Sequence, residues 1–117
     1  MVNLTLIPIW RGLEDLKRND ILRPTTRIEI SETVDIDFLM EEINALDLQP
    51  LPEDKSVVLL ERGNEPIDSD PYGERIHYLL PKDFRKLRYP KANPWDQAVL
   101  EFCRRLPQNT MILLFWH

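Results

Sequence analysis

The chain contains few of the residues on which most catalytic and metal sites depend. Its 117 residues include one cysteine, two histidines and three glycines. A single cysteine excludes an internal disulfide, and glycine at about a third of its usual share leaves little material for a phosphate-binding loop. No serine lies in a G-x-S-x-G turn, and no cysteines and histidines have zinc-ligand spacing. We therefore expect no cofactor, no bound metal and no nucleophilic catalytic site.

The sequence also lacks a long apolar run. Its longest, Met111–Trp116, is far shorter than the roughly 20 residues that a membrane-spanning helix needs. The N-terminal residues do not have the basic and apolar regions of a secretory leader. The lone Cys103 lies on or beside the apolar stripe of a predicted helix, which indicates a buried, unreactive thiol. These observations predict a cytoplasmic protein without a membrane segment.

A chain of this length is expected to form one globular domain over residues 1–117, with a core of its own.

The charge of the chain is unevenly distributed. Residues 1–74 contain 7 Lys or Arg and 17 Asp or Glu, whereas residues 75–117 contain 8 and 3, so the two parts carry net charges of −10 and +5. The positive part is expected to face an acidic partner, a nucleic acid, or the acidic part of the same chain.

The best-marked local pattern is a capped helix that runs into an apolar strand. Asn93 is expected to cap the helix, and Pro94 suits its first position. Apolar residues then recur at three- and four-residue steps and are expected to face the core: Trp95, Ala98, Val99, Phe102 and Leu106. Met111–Trp116 follows without alternation, which predicts a strand buried on both faces.

Weaker patterns complete the predicted fold. In chain order they are an outer strand bent at Pro8, a short helix within residues 11–21, a strand at 26–30, a helix at 35–46 capped by Asp35, a central strand at 57–60 that pairs as a hairpin with 75–80, and a short helix at 81–87. This order predicts an α/β fold of the α+β sandwich type, with a mixed sheet of about five strands and helices packed on one face.

The order of elements from residue 25 is strand, helix, strand, strand, helix, strand. It predicts a ferredoxin-like split β-α-β core over residues 25–117, with an extra N-terminal strand. In that topology the last strand normally lies at a sheet edge, although its composition requires cover. Either the N-terminal strand covers this edge, or a second copy of the chain does so in a homodimer.

Two acidic segments have partial metal-site patterns. Asp68 and Asp70 have the spacing of EF-hand ligands, but Tyr72 and Leu79 stand where further oxygen ligands are needed. Glu53-Asp54-Lys55 has the acidic-x-Lys order of metal-dependent nucleases, whose carboxylates hold a metal that activates water. It precedes a predicted strand instead of lying along it. We therefore expect both segments to be solvated loops.

The strongest positive signal is a basic segment that precedes the last predicted helix, together with two arginines on that helix. The residues predicted to bind a partner are Lys82, Arg85, Lys86, Arg88, Tyr89, Lys91, Arg104 and Arg105. Trp10, at the end of a bent strand, is predicted to add an aromatic anchor for the same partner. Because Phe84 and Tyr89 are interleaved with the charges, the segment could also follow a phosphate backbone while a ring stacks on a base.

Together these features predict a non-enzymatic protein-binding module, such as an adaptor, an assembly factor or an inhibitor, that acts through a basic and aromatic surface. The alternative is a small nucleic-acid or nucleotide-binding protein, with or without nuclease activity, that uses the same basic segment. The net charge of −5 opposes nonspecific binding to nucleic acid, so a protein partner is preferred.

Overall fold

The computed structural model describes residues 2–31 and 35–117. The elements in this part of the chain are β1 (Leu4–Ile9), α1 (Gly12–Arg18), β2 (Ile21–Leu22), β3 (Ile28–Glu29), α2 (Ile36–Asn44), β4 (Gln49–Pro50), β5 (Ser56–Val57), a 3-10 helix (Leu60–Arg62), β6 (His77–Leu79), α3 (Pro81–Phe84), α4 (Pro94–Arg105) and β7 (Met111–Trp116). Five strands form an antiparallel sheet in the order β3-β1-β7-β6-β4, and β2 pairs with β5 in a separate parallel sheet. The predicted α/β class is confirmed.

The last strand is the centre of the sheet. β1 pairs with it from Leu4–Trp116 to Ile9–Met111, and β6 pairs with its other side. Alternate side chains of β7 enter different cores, with Ile112 on one face and Leu113 on the other. The prediction of a strand buried on both faces is confirmed, because both of its faces and both of its edges are covered within the chain.

Different elements cover the two faces of the sheet. On one face α2, α3 and α4 contribute Leu39, Phe84 and Leu100 to the core. On the other face α1 and the small parallel sheet lie against β7, and Val57 of β5 is fully buried there. Gly12 allows α1 to approach closely, since a Cβ atom at this position would lie 2.7 Å from the Cβ of Met111. Helices therefore pack on both faces, and not on one face as expected.

The strand order differs from the predicted one. β1 lies between β3 and β7, so it is not an outer strand, and the sheet is antiparallel instead of mixed. Val57 pairs in the small sheet, so residues 57–60 are not a central strand and form no hairpin with residues 75–80. The physical reason is that the second face of β7 needs cover, which this apolar segment provides. A ferredoxin-like core is not confirmed.

Both edges of the main sheet are blunted. At the β4 edge, Leu51 donates its N–H to the carbonyl of Ile76. Because backbone groups along a strand alternate in direction, the nitrogen of the neighbouring Pro50 points away from the sheet, where its missing N–H costs no hydrogen bond. At the β3 edge, the indole Nε1 of Trp95 donates to the outward carbonyl of Glu29 at 2.8 Å. Because β7 is paired on both sides, it has no free edge. The predicted route to a homodimer, through the edge of the last strand, is therefore wrong.

Candidate binding surfaces

The basic segment is held in place by buried residues that alternate with its charges. Pro81 begins α3, and the carboxylate of Asp83 accepts a hydrogen bond from the N–H of Leu80 at 2.9 Å. Phe84 and Leu87 are each 1% exposed and anchor the segment in the helical core. Because these positions point inward, the basic side chains between them point to solvent.

Five cations form what we call the basic surface: Lys82, Arg85, Lys86, Arg88 and Lys91. All five are exposed. Arg88 donates one hydrogen bond from Nη1 to the carbonyl of Arg85, at 3.1 Å. In the part of the chain that the structure describes, none of the five has a carboxylate within ion-pair distance. The expectation that these charges pair with the acidic part of the chain finds no support among the described residues.

The two neighbouring arginines of α4 differ in environment. Arg104 donates from Nε to the carbonyl of Phe84 at 3.0 Å and from Nη2 to that of Leu87 at 3.1 Å. Arg105 projects into solvent and contacts Glu101 at 2.8 Å. Hydrogen bonds from Arg105 and Arg104 lower the pKa of Glu101 below its ordinary value. Arg104 therefore fixes the backbone beneath the basic surface, whereas Arg105 is exposed beside it.

An aromatic pair borders the basic surface. The ring of Tyr89 meets that of Phe38 edge to face, with centroids 5.6 Å apart, and its hydroxyl accepts a hydrogen bond from the N–H of Asp35 at 2.6 Å. Phe38 is 37% exposed and was not predicted as a site residue. It is a large apolar residue off the apolar stripe of α2, which is the signal that could have identified it. Phe84, in contrast, is buried and offers no face for a base to stack on.

Trp10 lies apart from the basic surface, in a separate groove of about 480 Å³. Its indole is 65% exposed, and the guanidinium carbon of Arg11 lies 4.6 Å from the ring centroid. Residues that line the groove include Pro8, Arg23, Phe102, Leu106 and Thr110. On α4, Glu101 and Arg104 adjoin the segment around Tyr89, whereas Phe102, with Leu106 just beyond the helix, adjoins Trp10. The exposed side of α4 therefore separates the predicted site residues into two surfaces.

This separation follows from the rotation of α4 about its axis. Its buried residues are Asp96, Val99, Leu100 and Cys103. Trp95 is 59% exposed and Phe102 is 36% exposed, so their predicted core positions are wrong. The carboxylate of Asp96 accepts hydrogen bonds from the N–H and hydroxyl of Ser31, at 2.8 and 2.7 Å. Leu100 and Cys103 therefore lie on the buried side of α4, and the hydrogen bonds from Ser31, which follows β3, hold the helix in this rotation.

The weaker candidate sites are occupied by internal contacts. Lys55, of the nuclease-like triplet, pairs with Asp20 at 3.1 Å. Asp68 pairs with Arg75 at 3.3 Å, and the carboxylate of Asp70 accepts two backbone N–H bonds within its own loop. Within residues 2–31 and 35–117, no three His, Cys, Asp or Glu side chains are grouped to hold a metal ion.

The thiol of Cys103 is buried, as predicted, and burial raises its pKa to about 12. A neutral thiol at this depth is a poor nucleophile at physiological pH.

Among the described residues there is no helix with the length and apolar character that crossing a bilayer requires. Comparisons with protein-family models, curated proteins and solved structures find no match to this chain.

Proposed function

We propose that this protein is a non-enzymatic protein-binding module that contacts its partner through the basic surface and the adjoining pair Phe38 and Tyr89. The observation that carries the proposal is the group of five exposed cations in ten residues without an ion-pair partner among the described residues. Solvated cations with aromatic neighbours are typical of the rim and anchor of a protein interface.

The geometry around the cations favours an acidic protein surface as the ligand. Buried Phe84 and Leu87 and the two carbonyl bonds from Arg104 hold this part of the backbone in one conformation. A preformed backbone lowers the entropy that is lost on binding, and opposite charges on the partner would accelerate association. The neutral, buried thiol of Cys103 agrees with a reducing compartment, so we propose a cytoplasmic location.

Nucleic acid is the second candidate, because exposed cations also bind phosphates. Two observations weaken it. Phe84 is buried, and Tyr89 is already engaged by Phe38 through its ring and by Asp35 through its hydroxyl. Binding to single strands usually adds base stacking on exposed aromatic rings to the phosphate contacts.

A charge-reversal experiment tests the proposal. The double variant Lys86→Glu/Arg88→Glu is compared with Lys17→Glu/Arg18→Glu, which reverses two exposed charges at the end of α1. Tagged proteins are used to capture partners from lysate of the source organism after nuclease treatment, and candidates are then purified for titration. We expect to capture a defined protein that binds the wild type and the Lys17→Glu/Arg18→Glu control equally well. It should bind the Lys86→Glu/Arg88→Glu variant at least tenfold more weakly.

Titration of labelled single- and double-stranded oligonucleotides provides the opposing outcome. If the basic surface binds nucleic acid, the affinity for oligonucleotides should fall steeply with salt. The Lys86→Glu/Arg88→Glu variant should then lose this binding, and the Lys17→Glu/Arg18→Glu control should retain it. That result, together with the loss of all captured proteins after nuclease treatment, would contradict the protein-binding proposal.

A further inference from the structure

The groove at Trp10 contains backbone groups that are positioned to pair with an extended peptide. Asn3 and His117 exchange two backbone hydrogen bonds, of 2.7 and 2.9 Å. Ladder bonds between β1 and β7 therefore recur at every second residue up to Ile9, and the carbonyl of Pro8 faces away from β7. The Ile9–Trp10 peptide bond is trans, so the N–H of Trp10 points opposite to the carbonyl of Ile9, toward the same side as the Pro8 carbonyl.

On that side β3 has already ended. Its pairing with β1 reaches only Leu6, and residues 24–26, which precede β3, line the groove without pairing with Pro8–Trp10. Both Pro8 and Trp10 line the groove, and among the described residues no backbone group hydrogen-bonds to the Pro8 carbonyl or the Trp10 N–H. In a parallel pairing, the residue opposite Ile9 would donate its N–H to the Pro8 carbonyl and accept a hydrogen bond from the Trp10 N–H. An antiparallel partner at Pro8 would need an N–H that proline lacks.

A second observation also points to a ligand. The hydroxyl of Thr110 is the one buried side-chain polar atom without a hydrogen-bond partner among the described residues, and Thr110 is only 1% exposed. This residue lines the same groove. Buried polar groups normally have a partner, so the unsatisfied hydroxyl marks a missing hydrogen-bond partner in the lining of this groove.

The chemistry of the walls restricts the occupant. Phe102 of α4 and Leu106, which follows the helix, are apolar residues that line the groove together with Trp10, and the volume accommodates a few side chains. Arg23 lines the groove and Arg11 covers one face of the indole, against one half-buried carboxylate, Asp15. Arg23 and Asp15 cancel within the lining, so Arg11 gives the groove and its rim a net charge of +1 in a protein whose net charge is −5. The net charge of −5 opposes association of two copies of the chain, whereas the two arginines at the groove attract a short acidic peptide.

We infer that this groove binds an extended segment of a partner protein that carries a bulky apolar residue flanked by carboxylates, and that the segment pairs in parallel with Pro8–Trp10. The apolar residue packs between Trp10 and Phe102, and a carboxylate contacts Arg23. The site is distinct from the basic surface proposed above, so either proposal can fail without the other.

The test uses a phage-displayed library of random linear 12-residue peptides, selected on the full chain and then synthesised. Selected peptides should combine Asp or Glu with a large apolar residue. They should bind Trp10→Ala about thirtyfold more weakly or worse, as expected for a central aromatic anchor, and bind Tyr72→Ala as they bind wild type. Tyr72 is also exposed but lies outside the groove. The Lys86→Glu/Arg88→Glu variant should retain binding.

Three further measurements address chemistry and direction. Arg23→Glu should weaken binding of the acidic peptides several-fold and improve binding of analogues in which Lys replaces the carboxylate. N-methylation at one peptide position, opposite Ile9, should abolish binding, and the backbone amide resonance of Trp10 should shift on titration with the unmodified peptide. The proposal is overturned if no peptide depends on Trp10, if peptides without carboxylates bind equally well, or if Trp10→Ala abolishes self-association of the chain in sedimentation, which would identify a second copy as the occupant.

Discussion

Arg104 and Arg105 are adjacent and identical in type, yet truncating them should have very different effects. The guanidinium of Arg104, in a side chain 27% exposed, donates to two backbone carbonyls, those of Phe84 and Leu87. A hydrogen bond with a charged partner contributes about 1.5–3 kcal/mol when buried, so after allowance for partial exposure Arg104→Ala should cost about 2–4 kcal/mol. Arg105 is 80% exposed and makes one ion pair within its helix.

These values correspond to clear differences in thermal stability. With an unfolding entropy of about 2.1 cal/mol/K per residue, a cost of about 3 kcal/mol lowers the Tm of a chain of 117 residues by about 12 °C. Arg105→Ala should lower it by less than about 2 °C, since exposed ion pairs contribute little. Tm is measured by differential scanning calorimetry, and the free energy of unfolding by urea titration.

A third variant separates geometry from charge. Arg104→Lys keeps the charge but cannot donate to both carbonyls with a planar fork, so it should recover less than half of the lost stability. Equal effects of Arg104→Ala and Arg105→Ala, or full recovery by lysine, would refute the view that Arg104 holds the backbone of the basic segment.

Three further outcomes are expected. Asp96→Ala should cost about 2–4 kcal/mol in urea titrations because it removes two hydrogen bonds to a buried carboxylate, whereas Asp37→Ala, in the exposed first turn of α2, should cost under about 1 kcal/mol; similar values would contradict this. The pKa of about 12 for Cys103 predicts no alkylation by iodoacetamide in the native state at pH 8. Because that pKa is raised on folding, its contribution to stability is present below about pH 9 and falls as pH rises toward 12, by about 1.4 kcal/mol per pH unit relative to Cys103→Ala; parallel pH profiles of the two proteins would exclude it. Gly12→Ala should destabilise by about 1–3 kcal/mol through overlap with Met111, although helix propensity alone favours alanine, so a stabilised variant would disprove the close contact.

Local signals predicted several elements well. The side chain of Asn93 accepts the N–H of Asp96 at the start of α4, and Asp35 caps α2 through the N–H of Phe38, as expected from their types and positions. The apolar composition of Met111–Trp116 correctly indicated burial on both faces. Each of these features depends on a few neighbouring residues, so it can be read along the chain.

The rotation of α4 could not be predicted in the same way. Its sequence contains two overlapping apolar stripes, one with Trp95 and Phe102 and one with Leu100 and Cys103. The side chain of Asp96 bonds to Ser31 and selects the second stripe. This long-range contact exposes Phe102 beside Trp10, and so the groove arises from a choice that helical periodicity does not encode.

The candidate sites show the same division. Clustering of Lys82 to Lys91 was evident in the sequence, but the distinction between exposed Arg105 and bonded Arg104 required the position of α3 against α4. The sequence alone determined the class of fold, the caps of the helices and the burial of the last strand, because these follow from residue type and local spacing. Strand order, helix rotation and the separation of the two surfaces were decided by tertiary structure, since they depend on which of several competing apolar faces pack together.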